Sequence, residues 1–242
     1  MTDLERPDDP QDTAKLKAVL VLVAAIAFAL SPFVAPPFSG FDPAQMPVAV
    51  ENPPIQPAGY AFSIWGVIYL WLLAHAGFGL VRRDTARDWD TGRWGLFLSL
   101  AVGASWLSVA TMAPVTATVL IWVMLVGALW ALLRAPSRDR WWNALPLGLY
   151  AGWLTAASCV ALGSVLMGYG VGSPAAVGWA MLALALILSI TLAMRLHTPA
   201  YPLAVAWALV GIVVTNGATA LGIAAGLGAA ALLALAVRDI RA

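Results

Sequence analysis

The sequence consists largely of uncharged apolar runs of about 20 residues, and this feature restricts the chain to very few folds. Because hydrocarbon offers a peptide group no hydrogen-bond partner, a segment that spans a bilayer is a helix or a strand of a closed barrel. The runs have helix length and do not alternate apolar with polar residues. They lie at about 16–34, 60–81, 94–112, 114–133, 143–167, 175–194, 201–217 and 219–237. The sequence therefore predicts an all-α integral membrane protein with about eight transmembrane helices.

Composition and charge agree with a membrane protein and exclude several function classes. Apolar residues make up 62% of the chain and charged residues 10%, whereas roughly a quarter of the residues of a soluble domain are charged. The net charge of +1 provides no basic surface for phosphates, which excludes a nucleic-acid-binding protein. The single cysteine, Cys159, has no partner for an internal disulfide, and no Cys/His cluster has metal-ligand spacing, so no metal site is predicted.

The positions of Lys and Arg test the number of spans and their orientation, because cations near span ends are retained in the cytoplasm. All 13 cations precede the first span, follow the last, or lie between spans 2 and 3, 4 and 5, or 6 and 7. The other connections contain none. This segregation predicts that both termini are cytoplasmic and that the connection 34–59 faces the opposite side. The pattern fits insertion into a bacterial-type inner membrane.

Three of the predicted spans, the last two and the first, have alternatives. The last two runs are short and are separated by the polar residues 215–219, so a single re-entrant hairpin is an alternative to two spans. The first run has lysines before it and the small-residue step Ala27-Phe28-Ala29, which together resemble a cleaved secretory signal. A span is favoured because the apolar stretch continues to Val34. Residues 1–15 are rich in Asp, Pro and Gln and are predicted to be a solvated tail.

The connection 34–59 is the longest on its side of the membrane, and loops of this length are often functional lids. Prolines restrict its backbone and lower the entropy lost on ordering; they are Pro36, Pro37, Pro43, Pro47, Pro53, Pro54 and Pro57. Phe38, Phe41 and Met46 give it apolar side chains that can fold back over the bundle. A lid is favoured over a simple connector.

Aromatic residues recur on single faces of the second and fifth spans. Phe62, Trp65 and Tyr69 are spaced i, i+3 and i+7, which places them on one face of a helix. Tyr150 and Trp153 lie well inside the fifth span. Such a stripe forms either the wall of a ligand pocket or an ordinary packing surface, and spacing alone favours packing.

The fifth span begins with two further patterns. Pro146 lies inside the predicted span, where a proline frees a carbonyl group and bends a helix. Gly148 and Gly152 form a G-x-x-x-G step, which permits the close approach of another helix. Trp141 and Trp142 follow a cationic connection and are typical of the interfacial aromatic belt.

Three motifs of the first five spans occur together. Asn-Pro-Pro at 52–54 precedes the aromatic-rich stretch 60–69, Trp106 lies in the third span, and Pro146 is followed by Tyr150 and Trp153. Over about residues 16–167 this combination resembles the tryptophan-rich sensory protein family, also called the translocator protein or peripheral benzodiazepine receptor family. Members are five-helix bundles whose first loop covers a pocket for porphyrins, haem, sterols and synthetic ligands. The resemblance implies such a bundle at 16–167 with a lid at 34–59, followed by an additional three-helix segment at 168–242.

The resemblance also implies a ligand site. Its aromatic walls would be Phe62, Trp65, Tyr69, Trp106, Tyr150 and Trp153, and the hinge of the lid would be Asn52, Pro53 and Pro54. The sequence departs from the five-helix members in three ways. Glu51 replaces the usual Trp before Asn-Pro-Pro, an Asn of the third helix is missing near Trp106, and spans 6 to 8 have no counterpart. The chain therefore resembles the longer, divergent branch of the family, so binding of a porphyrin or haem is an expectation by relation.

Three hypotheses for function follow. The first is a non-enzymatic receptor or carrier, without a required cofactor, that binds a flat apolar ligand such as a tetrapyrrole or a sterol in a sensory or transport role. The second is an accessory subunit of a larger membrane complex with no ligand of its own. The third is a facilitative transporter, which needs an internal repeat. The only indication of a repeat is a weak sequence similarity between the starts of spans 2 and 5. No enzyme motif is present, so catalysis is not predicted.

Two further features have competing interpretations. His75, near the end of span 2, is an axial haem ligand, a titrating switch, or a structural or interfacial histidine, and its position near Arg82 favours the last interpretation. Gly222 and Gly226 in the last span form a second G-x-x-x-G step, which is a weak indication of a homodimer.

Overall fold

The apolar runs form helices throughout the computed structural model, which describes residues 10–241 and contains no β-strand in that range. The helices are α1 (Pro10–Val34), α2 (Ile64–Arg82), α3 (Arg87–Ala110), α4 (Pro114–Leu133), α5 (Ala144–Gly168), α6 (Pro174–Leu196), α7 (Ala200–Asn216) and α8 (Ala220–Arg241). Short 3-10 helices occupy Pro43–Gln45 and Gly59–Ser63. Within residues 10–241, seven helices are long and apolar enough to cross a membrane, and α7 is shorter. The predicted all-α membrane fold is confirmed.

The last two runs form two separate helices joined by a three-residue turn, in which Gly217 has a φ of 59°. At 1.5 Å per residue, the 17 residues of α7 extend about 25 Å. The hydrocarbon core of a bilayer is about 30 Å thick. The eight predicted runs are thus seven helices of spanning length and one shorter apolar helix, which agrees with the prediction of about eight transmembrane helices.

Two helices begin well before the predicted spans. α1 begins at Pro10 and α3 at Arg87, instead of 16 and 94. Charged residues close to these helix starts have partners on neighbouring helices: Lys17 Nζ of α1 lies 2.8 Å from Asp90 Oδ2 of α3. The buried Arg93 donates to four backbone carbonyls of α1, α2 and the connection after α2. For α1 and α3, the apolar run thus predicted the part of the helix that is compatible with hydrocarbon and did not include the polar start.

Helix α5 is the most buried helix, and it packs against α4, α6 and α7. A Cβ at Gly152 would overlap the carbonyl oxygen of Tyr201, and one at Gly148 would lie 2.7 Å from the side chain of Thr198. The buried Tyr201 hydroxyl lies 3.0 Å from Thr155 Oγ1. The predicted close approach at this G-x-x-x-G step is therefore present, and its partner is α7 of the same chain.

A helix-interior proline is present in α1, and Pro146 of α5 is not in a position where it bends the helix. Pro146 is the third residue of α5, where a backbone N–H has no partner within the helix, so the physical reason for a bend is absent. Pro32 lies inside α1 instead. Its missing N–H frees the carbonyl of Phe28, which accepts a hydrogen bond of 2.8 Å from Ser31 Oγ. A neighbouring hydroxyl thus satisfies the freed group inside the membrane segment.

The cation-bearing connections meet at one end of the bundle, which we call the cationic end. Arg83 Nε lies 2.8 Å from Asp139 Oδ2, and Arg138 Nε lies 2.7 Å from Asp88 Oδ2. The hydrogen bonds from Arg83 lower the pKa of Asp139 below its ordinary value, and they raise the pKa of Arg83. These ion pairs join the connections before α3 and before α5. The opposite end, which carries the 34–59 connection, is the lid end.

Candidate functional site

The first half of the 34–59 connection folds against the bundle through its aromatic side chains. The ring of Phe38 packs edge-on against Trp106 with 5.1 Å between centroids, and it also contacts Phe41 and Phe62. Gly40 has a φ of 136°, and a Cβ there would overlap the Gln56 side chain. The connection thus covers the lid end of the bundle with aromatic rings facing inward, as the lid interpretation requires.

The second half of the connection is attached to α7. Three hydrogen bonds make this attachment: Asn216 Nδ2 to Pro54 O at 2.8 Å, Ala58 N to Gly211 O at 3.0 Å, and Trp207 Nε1 to Ala61 O at 2.9 Å. Asn216 also donates to Ile212 O at 2.9 Å, within the last turn of α7. One helix of the additional segment therefore fixes the chain just before α2. The assignment of Asn52, Pro53 and Pro54 to a hinge stays a prediction.

A cavity of about 40 Å³ lies beneath the lid, between the lid and helices α2, α3, α4, α5 and α7. We call it the lid cavity. Four of the predicted wall residues line it, namely Phe62, Trp65, Trp106 and Trp153. Phe38 and Phe41 of the lid also line it. Pockets for drug-sized ligands have volumes of roughly 300–1,000 Å³, so a flat ligand needs these lid rings to move.

Tyr69 and Tyr150, the other two predicted wall residues, lie outside the lining of this cavity. They surround Phe28 of α1, with centroid distances of 5.0 Å and 5.7 Å. The fully buried Tyr150 places its hydroxyl 2.9 Å from Ser99 Oγ. Trp65 stacks on Tyr69 at 5.4 Å and connects this inner cluster with the lid cavity. The two tyrosines thus pack around Phe28 and Trp65, next to the lid cavity, and do not line the cavity itself.

The indole groups of the cavity differ in their hydrogen bonding. Trp106 Nε1 donates to Ala117 O of α4 at 2.8 Å. The ring of Trp153 is 2% exposed, and its Nε1 has no hydrogen-bond partner among the described residues. A buried donor without an acceptor costs about 1–3 kcal/mol. An acceptor on a bound molecule would remove this cost.

A second cavity, of about 330 Å³, adjoins the lid cavity, and we call it the vestibule. Gly40, Phe41, Gln56 and Ser164 line both cavities. Asp42 and Glu51, both exposed, also line the vestibule. One carboxylate oxygen of Asp42 accepts a hydrogen bond of 2.9 Å from the backbone N–H of Ala44. The vestibule is therefore the polar and acidic continuation of an apolar aromatic cavity.

His75 lies away from both cavities, in the cationic half of the bundle. Its Nδ1 lies 2.7 Å from Trp142 O, and its ring stacks on Trp89 with 5.1 Å between centroids. These contacts favour the structural role over haem ligation. Within residues 10–241, no three His, Cys, Asp or Glu side chains are grouped as metal ligands.

Several residues of the site gave no signal in the sequence. Ala208 of α7 and Ser164 of α5 line the lid cavity, although small residues are frequent throughout these helices. Gln56 lines both cavities, and its amide donates to Ser39 O at 2.7 Å. Phe28, the centre of the inner cluster, is an isolated aromatic residue in an Ala/Val-rich run. A single aromatic ring among small side chains is the feature of the sequence that distinguishes Phe28 from its neighbours.

The comparisons with known proteins identify one family. A family model described as a TSPO-like protein matches residues 16–238, which is nearly the whole chain. The match extends beyond the first five spans and includes helices α6 to α8. Neither the comparison with curated proteins nor that with solved structures finds a match.

Proposed function

Because the chain belongs to the TSPO-like protein family, we propose that it is a membrane receptor or carrier for a flat apolar ligand of the tetrapyrrole or sterol type. Membership of this family indicates an integral membrane protein of the receptor or transporter type. The observation that carries the finer proposal is the lid cavity, in which aromatic rings surround one unpartnered indole N–H. Binding, and no catalytic step, is the activity that these groups support.

The geometry supports binding of a planar molecule in the following way. Trp65 and Trp153 are nearly perpendicular, with centroids 6.1 Å apart, so a flat body stacks on one ring and contacts the edge of the other. The lid rings Phe38 and Phe41 occupy the space that such a body needs. Ligand binding therefore exchanges contacts of these lid rings for contacts of the ligand. The N–H of Trp153 then donates to an acceptor on the ligand.

The proposed orientation follows from the segregation of the cations. Both termini are cytoplasmic, the lid faces the opposite side, and the membrane is a bacterial-type inner membrane. The lid cavity then takes its ligand from the outer side or from the outer leaflet. Labelling of single cysteines tests this orientation: a cysteine in place of Ser39 should react with an impermeant maleimide in intact cells, and one in place of Ser137 should not.

The experiment that tests the function follows tryptophan fluorescence of the detergent-purified protein during titration with protoporphyrin IX, haem and a sterol. We expect saturable binding in the micromolar range or tighter. Trp65→Ala and Trp153→Ala should weaken it, because both rings line the lid cavity. Trp141→Ala is the matched control, since Trp141 is 70% exposed and its carbonyl accepts from Trp71 away from the lid cavity.

A different outcome distinguishes the main alternative. Non-saturating fluorescence changes that are the same in all three variants would contradict a ligand site between α2 and α5. Constant co-purification with one membrane partner, without stabilisation by any of the three compounds, would then favour an accessory subunit.

A further inference from the structure

The charged groups of the molecule are distributed unequally between its two ends. All Lys and Arg residues within 10–241 lie at the cationic end or in the helical turns next to it. The connections of the lid end contain Asp42 and Glu51 and no cation. The lid end thus has a local charge of −2, which no ion pair among the described residues compensates.

These two carboxylates line the vestibule, which opens from the lid cavity. The two cavities share lining residues of the lid and of α5, so a molecule whose body fills the lid cavity extends its other end into the vestibule. Any charged group at that end comes near Asp42 and Glu51. An anionic group there is repelled by both side chains, and a cationic group is attracted by both.

An independent observation at the inner end points to a ligand. Trp153 is 2% exposed, lines the lid cavity, and has an indole N–H without a partner among the described residues. An indole N–H is a neutral donor, which suits a carbonyl oxygen or a ring nitrogen. A buried carboxylate needs a compensating charge, and neither cavity has a lysine or arginine in its described lining. The described lining of the two cavities therefore offers no compensating positive charge to a ligand carboxylate.

We propose that the ligand of this site is a hydrophobic cation. Its flat apolar body occupies the lid cavity, an uncharged acceptor meets the N–H of Trp153, and a protonated amine lies in the vestibule near Asp42 and Glu51. This inference rests on the proposed function, a receptor or carrier for a flat apolar ligand, and within that function it favours amines over tetrapyrroles with free carboxylates and over sterols. Tetrapyrroles with free carboxylates bind more weakly than flat cations of similar area.

The test uses three compounds with the same flat aromatic body and different charges: 1-pyrenemethylamine, 1-pyrenemethanol and 1-pyrenecarboxylic acid. Energy transfer from tryptophan to pyrene reports binding in a non-ionic detergent, and protein-free micelles give the partition background. We expect the amine to bind about tenfold more tightly than the acid at low ionic strength, with the alcohol between them. This difference should shrink as salt is added, because exposed charges are screened.

A charge-removal variant tests whether the carboxylates cause the difference. The double substitution Asp42→Asn with Glu51→Gln should make the amine and the acid bind equally and leave the alcohol unchanged. Asn retains the acceptor that caps the 3-10 helix at Pro43–Gln45. Asp12→Asn, which removes an exposed carboxylate of the cationic end, is the control and should keep the preference for the amine.

The possible outcomes separate this inference from the proposed function. Equal binding of the three compounds, tighter binding of the acid, or a preference that survives the double substitution would overturn the hydrophobic-cation proposal. In each of these cases the site itself stands if Trp153→Ala weakens binding. Absence of saturable binding by all three compounds, and by protoporphyrin IX, haem and a sterol, would overturn both proposals.

Discussion

Phe38 occupies the space that the proposed ligand needs, so its removal should tighten binding. The lid cavity has a free volume of about 40 Å³, and the Phe38 ring lies between the lid and the aromatic wall. We expect Phe38→Ala to preorganise an open cavity. A ligand then no longer has to displace the ring before it can stack on Trp65 or Trp153.

The size of the effect follows from the contacts of the ring. Phe38 makes aromatic contacts with Trp106, Phe41 and Phe62 at centroid distances of 5.1, 5.7 and 6.4 Å. Each contact of this kind contributes about 0.5–1.5 kcal/mol. Because Phe38 is half-buried, we take the lower end of the range, about 1.5–2 kcal/mol for the three together. Affinity should therefore increase by about tenfold or somewhat more.

The assay is the fluorescence titration of the wild type and Phe38→Ala, together with the melting temperature of the unliganded protein. Binding should tighten while the melting temperature falls, since the same contacts stabilise the closed lid. Phe33→Ala is the matched control, because Phe33 is 84% exposed on α1, and it should change neither quantity. Weaker binding by Phe38→Ala would refute the reasoning and identify Phe38 as a ligand contact.

Three other substitutions test the packing, the lid attachment and the cationic end. Gly152→Leu places a side chain where the Tyr201 carbonyl lies, so we expect a loss of about 1–3 kcal/mol in stability; an unchanged melting temperature would contradict the α5–α7 interface. Asn216→Ala removes the hydrogen bond from α7 to the lid, worth about 1 kcal/mol, and should accelerate hydrogen exchange at residues 52–58; identical exchange would show that this bond does not hold the lid. Arg83 lowers the pKa of Asp139 below the ordinary 3.8, so the stability from this pair is present above that pH and is lost as the pH falls through the lowered pKa. Asp139→Asn, which tolerates the φ of 58° at this position, should flatten the decrease in melting temperature below about pH 4, and an acid dependence as steep as that of the wild type would exclude this pair as its source.

The fold was largely predictable because the bilayer restricts a chain so strongly. Each of the eight apolar runs became a helix, and the run 114–133 has the same bounds as α4. The starts of α1 and α3 were missed because residues 10–15 and 87–93 are mostly polar or charged, and Lys17 and Arg93 lie at the edges of the two apolar runs. Both remain helical because a carboxylate or backbone carbonyls of neighbouring helices satisfy them. Such partners come from tertiary packing and leave no local pattern.

The candidate site was only partly accessible to sequence reasoning. Helical spacing places Phe62, Trp65 and Tyr69 on one face but does not give their depth, and Tyr69 lies beside Phe28 instead of under the lid. The hydrogen bonds of α7 to the lid connect residues 146 and 162 positions apart. No periodicity or short motif reports a contact over that distance.

Helix α7 fills the glycine groove of α5 and holds the lid, and it belongs to the same chain as both. We therefore expect that the fraction of molecules with a complete lid cavity does not depend on protein concentration. A cavity completed by a second copy would come apart on dilution, because mass action couples its integrity to the abundance of subunits. The described lining of the lid cavity comes from one chain, so we expect its ligand affinity to be the same at low and at high expression.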